Sequence, residues 1–136
     1  MFEVTLIPLL AAAVAAVIVG FAWFHTKVFG AAYMRSVNLT PEQQAKARKR
    51  MPVSVFFAFV SALLAAYVLN YFGIAWGVYD WVGAIELGIW VWLGFALPPL
   101  LGAVLWEMKP LKHLAIVGGY WLVNFIVMAV ILVFLA

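Results

Sequence analysis

The sequence contains no cysteine and few charged residues, and these two shortages exclude several classes of protein. Without cysteine, the chain can form neither a disulfide framework nor a thiolate metal site. Charged residues make up 10% of the chain and hydrophobic residues 69%, far above the apolar share of an ordinary soluble domain. So little polar surface cannot cover a soluble core of this size. The composition therefore predicts a chain whose outer surface faces lipid.

Long apolar runs with almost no charge are abundant, and they predict four membrane-spanning helices within a single domain, residues 1–136. We place the approximate spans at residues 4–24, 52–72, 82–106 and 112–135. Each run supplies the roughly 20 apolar residues that a helix needs to cross the hydrocarbon core. The runs are continuously apolar rather than alternating, which argues against a β-barrel. The predicted fold class is all-α, a four-helix transmembrane bundle.

The basic residues are confined to two connections between these spans. Six of the eight Lys and Arg residues lie in the loop of residues 25–51, and the other two are Lys109 and Lys112. By the positive-inside rule, both connections face the cytoplasm and both termini lie on the outer side. Lipid headgroups are the expected contacts of the cations Lys46, Arg48, Lys49 and Arg50. A docking site for a phosphorylated ligand or an acidic partner is the alternative, and nucleic acid is not an expected partner.

A short cytoplasmic helix is predicted inside the basic loop. Thr40 can cap its N-terminus, Pro41 suits the first helical position, and Gln43 stands where a capping box places a glutamine.

One carboxylate, Glu86, lies inside the third apolar run. A rise of 1.5 Å per residue places Glu86 about 8 Å inside the outer boundary marked by Trp81. Tyr67 and Asn70 of the second helix fall at nearly the same depth, so they are its expected hydrogen-bond partners. An acid inside a membrane is by default a proton relay or a cation site. The alternative is a neutral or water-exposed glutamic acid that holds the third helix to the second.

The double proline, Pro98-Pro99, predicts a kink in the third helix. Neither proline can donate a hydrogen bond to the carbonyls of Gly94 and Phe95.

A kink exposes the carbonyls of Gly94 and Phe95, which then need hydrogen-bond donors. The polar side chains available near the middle of the bundle are Ser61, Tyr120 and Asn124. They form either a ligand pocket or polar contacts between helices, and both interpretations stay open at this point.

Small residues recur at every fourth position of the first two helices and predict close helix packing, with subunit contacts as an alternative use. The residues are Ala12, Ala16 and Gly20, followed by Ala58, Ala62 and Ala66.

Evidence for an enzyme is weak. His25 and His113 fall at helix ends, and only Glu107 could join them as a third metal ligand. The sequence shows no Ser-His-Asp set, phosphate-binding glycine loop or nucleotide motif. We therefore expect no catalytic residue, no metal and no cofactor.

Several stretches of the chain resemble a known family. GFAWFHTKVFGAAYMRSVNLT, WVWLGF and KPLKHLAIVGGY followed by VMAVIL look like the signature of a bacterial four-helix membrane family known only as domain of unknown function number seventeen-sixty-one. The resemblance covers nearly the whole chain. Its recurring elements stand here at Gly20, Trp23, Phe29-Gly30, Met34, Leu39-Thr40, Trp92-Leu93-Gly94-Phe95, Pro110-Leu111, Gly119-Tyr120 and Met128.

The resemblance implies a four-helix protein of the bacterial cytoplasmic membrane, and it supplies no catalytic residue. The family usually continues its first tryptophan with a tyrosine, a small residue and a proline, whereas this chain has Phe24-His25-Thr26. The predicted function is a nonenzymatic, oligomeric membrane module that binds lipid or another hydrophobic partner, either further copies of itself or another membrane protein. The alternative is a small proton-coupled transporter that uses Glu86.

Overall fold

The structure, a computed structural model, describes residues 6–135 apart from the side chain of Thr26. All regular secondary structure within this range is helical, which confirms the predicted all-α class. The elements are α1 (Leu6–Trp23), α2 (Ala31–Val37), α3 (Pro41–Lys49), α4 (Met51–Ala75), α5 (Trp81–Val91), α6 (Leu97–Leu105) and α7 (Leu111–Leu135), with π-helical segments at Thr26–Gly30 and Trp92–Ala96. The predicted start of the first span at Val4, and both termini, lie outside the described residues.

Four helical spans are long and apolar enough to cross a membrane, as predicted. Their bounds are Leu6–Trp23, Met51–Ala75, Trp81–Leu105 and Leu111–Leu135. Only 17% to 33% of the residues in their most apolar stretches are buried within the fold, so most of the apolar surface faces outward. The chain is therefore a multi-pass membrane protein.

The four spans form an open bundle. α7 packs along both α1 and α5, and α4 packs mainly along α1. By contrast, α4 and α5 meet only sparsely, although they are consecutive in the chain. The order around the bundle is therefore α4, α1, α7, α5, with a gap between its first and last members.

Small residues set the close contacts of the bundle. Four residues of the predicted stripes, Ala12 and Ala16 of α1 and Ala62 and Ala66 of α4, are buried in the core. Of the other two, Gly20 is half-buried and Ala58 is exposed. Between α5 and α7 the backbones approach so closely that a Cβ atom on Gly88 would lie 3.0 Å from the Cα of Ile126. Lipid tails are as apolar as the side chains, so the hydrophobic effect does not drive helices together in a membrane. Close contacts of this kind hold the helices together through van der Waals packing.

The connections divide the bundle into two ends. The basic end carries α2, α3 and the connection between α6 and α7, and with them every Lys and Arg of the chain. The acidic end, opposite, carries the connection between α4 and α5 with Asp80. At the basic end, the Gln43 N–H donates to the Thr40 hydroxyl while the Gln43 side chain accepts from the Thr40 N–H. This capping box confirms the predicted short helix in the basic loop.

A tight turn at the acidic end reverses the chain between α4 and α5. Gly77 adopts a φ of +69°, a left-handed conformation that glycine enters without steric cost, and the Val78 N–H then donates to the Gly73 carbonyl. Three residues later, Asp80 caps α5 by accepting the Gly83 N–H at 2.8 Å. α4 therefore continues through the Gly and aromatic stretch to Ala75, past the predicted end at Phe72, because the stop signal is Gly77.

The third span is not a uniform α-helix. It passes from α5 through the π-helical segment Trp92–Ala96 into α6, whose first turn contains Pro98 and Pro99. A wider π turn immediately before two prolines lets the backbone continue where two N–H donors are missing. The kink at this point stays a prediction.

Candidate functional site

The gap between α4 and α5 is an apolar cleft with a volume of about 400 Å³. α4 forms one wall, α5 and the following π-helical segment form the other, and α7 contributes Phe125. Because α4 packs on α1 rather than on α5, the cleft opens sideways, toward the space that lipid chains fill in a membrane. We call it the lateral cleft.

Aromatic rings connect the lateral cleft with the acidic end. Phe72 of α4 stacks on Phe95 of the π-helical segment across the cleft, with ring centroids 6.3 Å apart. Phe72 also stacks on Trp76, whose ring lies 5.7 Å away and nearly parallel. Ser61 supplies a hydroxyl to the cleft lining. The walls are otherwise formed by aliphatic and aromatic side chains, so they favour an apolar occupant.

A second cavity, of about 280 Å³, continues the lateral cleft toward the acidic end. The two share Leu69, and the second cavity contains the side chain of Asn70. Asn70 is partly buried, and its amide can both donate and accept hydrogen bonds. We call this space the Asn70 cavity.

Glu86 lies in a third space, a groove of about 750 Å³ at the acidic end. Its walls include the rings of Trp76, Tyr79 and Trp90, and it shares Val78, Tyr79 and Leu87 with the Asn70 cavity. The Glu86 side chain is exposed. We call this space the Glu86 groove; groove, cavity and cleft follow one another, and each shares lining residues with the next.

The basic end contains a separate aromatic cluster. The Phe24 ring contacts Tyr33 at 4.9 Å and Tyr120 at 5.0 Å, measured between centroids. Trp23 packs on Phe29 at 4.6 Å and donates its indole N–H to the Ile116 carbonyl at 2.9 Å. These contacts attach the connection after α1 to the start of α7.

A serine and a histidine meet beside this cluster. The Ser36 Oγ lies 2.9 Å from the His113 Nδ1, and the His113 ring stacks on Tyr33 at 5.9 Å. The Ser36 hydroxyl donates its proton to the Tyr33 carbonyl at 2.7 Å, so Oγ can only accept from His113. His113 therefore carries its proton on Nδ1 and does not act as the base for Ser36 through that atom. The pair joins α2 to α7.

The other two side chains considered as metal ligands in the sequence are His25 and Glu107. His25 accepts the Lys27 N–H on Nδ1 at 3.1 Å, and Glu107 is exposed. Among residues 6–135, no three His, Cys, Asp or Glu side chains lie close enough to hold a metal ion.

Asn124 is buried in the bundle without a hydrogen bond. Its side chain is 1% exposed, and neither its amide nitrogen nor its amide oxygen has a partner. Tyr120, one turn earlier, lies near enough for its hydroxyl to interact with the Asn124 amide, but the two groups do not meet the geometry of a hydrogen bond. We therefore regard the amide as unsatisfied, which is costly in an apolar interior.

The comparison with known proteins now decides the family. A family model described as "Protein of unknown function (DUF1761)" matches residues 7–133. This chain belongs to the DUF1761 family. No curated protein and no solved structure matches it. Membership confirms the resemblance carried by the sequence motifs, and the description attaches no activity to any residue.

Several residues that carry the DUF1761 resemblance meet at the basic end. A Cβ on Gly119 would lie 3.0 Å from the Trp23 ring, as one on Gly20 would lie 3.1 Å from the Tyr120 hydroxyl. In this DUF1761 chain these glycines admit large rings into the contact between α1 and α7. These motif residues therefore account for packing at the basic end, whereas Phe95 of the Trp92–Phe95 motif lines the lateral cleft.

The residues predicted as a binding site fall in different places in this DUF1761 chain. Glu86, Asn70 and Ser61 line the three connected spaces, whereas Tyr67 is an exposed residue of α4. Tyr120 lines a small cavity between α1 and α4. The contacts of Glu86 with Tyr67 and Asn70 stay predictions.

Sequence reasoning missed the aromatic lining of the cleft. Phe72, Phe95 and Phe125 belong to three different elements. A phenylalanine in a membrane span can face either lipid or the protein core, so its residue type does not indicate which. The π-helical segment, which carries Phe95, follows from Pro98 and Pro99; nothing in the pattern of Phe residues by itself indicated a common site.

The four predicted headgroup contacts lie on the surface of the basic end. Lys46, Arg48 and Lys49 belong to α3 and Arg50 follows it, and all four side chains are exposed. Their contact with lipid headgroups stays a prediction.

Proposed function

We propose that this chain is a nonenzymatic integral membrane module that binds the apolar tail of a lipid-like molecule in the lateral cleft between α4 and α5. The observation that carries the proposal is that the apolar cleft adjoins the Asn70 cavity, with Leu69 in the lining of both. An elongated space with apolar walls and a few polar side chains suits a hydrocarbon chain better than a compact polar substrate.

The packing of α4 supports a specific site rather than an ordinary lipid-facing surface. α4 meets α1 through alanines and meets α5 across the bulky rings of Phe72 and Phe95. Small residues allow close approach, whereas facing rings keep helices apart and leave space between them. The gap is therefore built into the side chains that face it.

The polar groups described above support a nonenzymatic function. The hydroxyl proton of Ser36 is held by the Tyr33 carbonyl, so Ser36 lacks the arrangement of a nucleophile activated by His113. The connected cleft itself offers single, separated polar side chains such as Ser61 and Asn70. Catalysis of acyl or phosphoryl transfer requires several convergent groups.

The test is photolabelling of the purified protein with an alkyl maltoside that carries a diazirine midway along its chain, in maltoside micelles. Peptide mass spectrometry then gives the adduct density per residue. We expect the density on Ala65, Val68 and Phe95 to exceed that on the exposed α1 residues Val14 and Ile18 by roughly tenfold, the ratio that about 1.4 kcal/mol of preferential binding produces.

A filled cleft provides the matched control. Ala65→Trp places an indole in the lateral cleft and is expected to reduce its adduct density to that of the α1 surface. Ala15→Trp adds the same side chain to the shallow groove on the outer face of α1 and should leave cleft labelling unchanged. Equal adduct densities on the cleft and on α1 in the unmodified protein would reduce the cleft to an ordinary lipid contact.

A small proton-coupled transporter is the second candidate function, and the exposure of Glu86 in a groove next to the Asn70 cavity favours it. A carboxyl that takes up a proton during transport reacts with a lipophilic carbodiimide in its protonated form. The transporter predicts selective labelling of Glu86 that rises as the pH falls, with Glu86→Gln as the unlabelled control. Absence of labelling at every pH would discard it.

The partner and location expected from the sequence complete the proposal. We propose a homo-oligomer or a complex with another membrane protein, in the bacterial cytoplasmic membrane with the basic end inside. The exposed apolar face of α1, with Leu10, Val14 and Ile18, supports such a contact.

A further inference from the structure

We infer that the Glu86 groove binds the cationic ammonium head of an amphiphile whose tail lies in the lateral cleft. This inference rests on the proposed function and assigns the charge of the ligand, which that function leaves open.

The position of Glu86 on α5 gives the groove its negative charge. Val82, Glu86 and Trp90 follow one another at intervals of four residues, so they share one face of the helix. That face forms a wall of the groove. The carboxylate therefore stands between an aliphatic side chain and an indole instead of pointing to the far side of α5.

Among the described residues 6–135, the charges leave this carboxylate without a Lys or Arg neighbour in sequence or at its end of the bundle. All eight Lys and Arg residues lie within residues 27–50 or at positions 109 and 112, which belong to the basic end. The other acid of the groove, Asp80, uses one oxygen to cap α5 through the Gly83 N–H. The complementary ligand charge for the groove is therefore positive.

The aromatic walls indicate an organic cation rather than a metal ion. Trp76, Tyr79 and Trp90 are 57%, 86% and 58% exposed, so each presents accessible ring surface to a ligand, with one face of Trp76 stacked on Phe72. Indole and phenol rings attract ammonium groups through the negative charge on their faces. A Ca²⁺ or Mg²⁺ ion, in contrast, requires six or more oxygen ligands in a defined geometry, whereas the groove offers two carboxylates.

The alignment of the three adjoining spaces indicates that the cation carries a hydrocarbon tail. The groove shares Val78, Tyr79 and Leu87 with the Asn70 cavity, which shares Leu69 with the lateral cleft. The stacked rings of Trp76, Phe72 and Phe95 run in the same direction. Tryptophan also occurs generally at membrane interfaces, so the presence of these rings does not by itself indicate a cation site. The test therefore compares different headgroups on the same alkyl chain.

The experiment uses three probes with the same diazirine-bearing alkyl chain and different heads, namely trimethylammonium, sulfate and maltoside. Each is titrated into the full-length protein in maltoside micelles. Peptide mass spectrometry then gives the probe concentration at which labelling of the cleft residues reaches half of its maximum. We expect half-saturation by the ammonium probe at a concentration roughly tenfold lower than by the sulfate probe, since one ion pair with cation–π contacts supplies a factor of that order.

Variants locate the cation on Glu86. Glu86→Gln is expected to remove the preference for the ammonium probe, and Trp90→Leu to reduce it, while both retain the elution volume and melting temperature of the unmodified protein. Glu107→Gln removes an exposed carboxylate at the basic end and should leave the preference intact.

Two results would overturn the inference while leaving the proposed function in place. One is half-maximal labelling of the cleft at the same concentration of all three probes. The other is a preference for the ammonium probe that persists in the double variant Glu86→Gln, Trp90→Leu. A failure of all three probes to label the cleft above the α1 surface would overturn the inference and the proposed function together.

Discussion

Replacement of Gly30 with alanine is expected to lower the melting temperature of the purified protein by on the order of 10 °C. The chain folds back so tightly through the π-helical segment Thr26–Gly30 that the Gly30 N–H donates to the His25 carbonyl at 2.9 Å. A Cβ at position 30 would overlap the Phe24 carbonyl oxygen and lie 2.8 Å from the carbonyl carbon and oxygen of His25. These atoms belong to the backbone and cannot rotate away, so the turn itself must shift.

Gly94→Ala is the matched control for this prediction. Gly94 also lies in a π-helical segment, Trp92–Ala96, but a Cβ there would have no atom within 4 Å. Thermal unfolding of the two variants in the same detergent, followed by tryptophan fluorescence, measures the difference. Equal melting temperatures for Gly30→Ala and Gly94→Ala would contradict the close approach that the structure describes at Phe24.

Replacement of Asn124 with leucine is expected to act in the opposite direction and stabilise the protein by about 1 to 3 kcal/mol. Leucine has the same branching of heavy atoms as asparagine, and it removes a buried amide that has no hydrogen-bond partner. The expected result is a higher melting temperature, measured as for Gly30→Ala.

Ser54→Leu is the control for added hydrophobicity. Ser54 is exposed near the start of α4, so the same gain in apolar surface removes no buried amide there, and we expect a change within about 0.5 kcal/mol. A lower melting temperature for Asn124→Leu would mean that the amide contributes a favourable interaction. Asn124 would then return to the candidate site as a group that binds water or a ligand.

Much of the fold could be predicted because the membrane restricts what a chain can do. A backbone in hydrocarbon must satisfy its own hydrogen bonds, so each long apolar run becomes a helix. Local signals predicted the capping box of Thr40 and Gln43, because both partners lie within one turn. The end of α4 was placed too early at Phe72, since the left-handed conformation of Gly77 and not the aromatic stretch terminates that helix.

The candidate site was harder to predict, because its residues come from distant parts of the chain. Depth along the helices paired Glu86 with Tyr67 and Asn70 and, separately, grouped Ser61 with Tyr120 and Asn124. In the structure, Glu86, Asn70 and Ser61 line three adjoining spaces. Depth alone cannot say which helices are neighbours, and therefore it grouped Tyr120 and Asn124 with Ser61. In the structure, Tyr120 lies between α1 and α4, away from the cleft.

The sequence by itself determined the membrane class, the four spans, the short helix in the basic loop and the family, because hydropathy, capping and motifs act over neighbouring residues. Only the tertiary structure decided that α4 packs on α1 and leaves a cleft beside α5. That choice depends on how alanines such as Ala62 and Ala66 fit one surface while Phe72 and Phe95 hold another apart. Complementarity of this kind is a property of two surfaces together, and no single stretch of chain contains it.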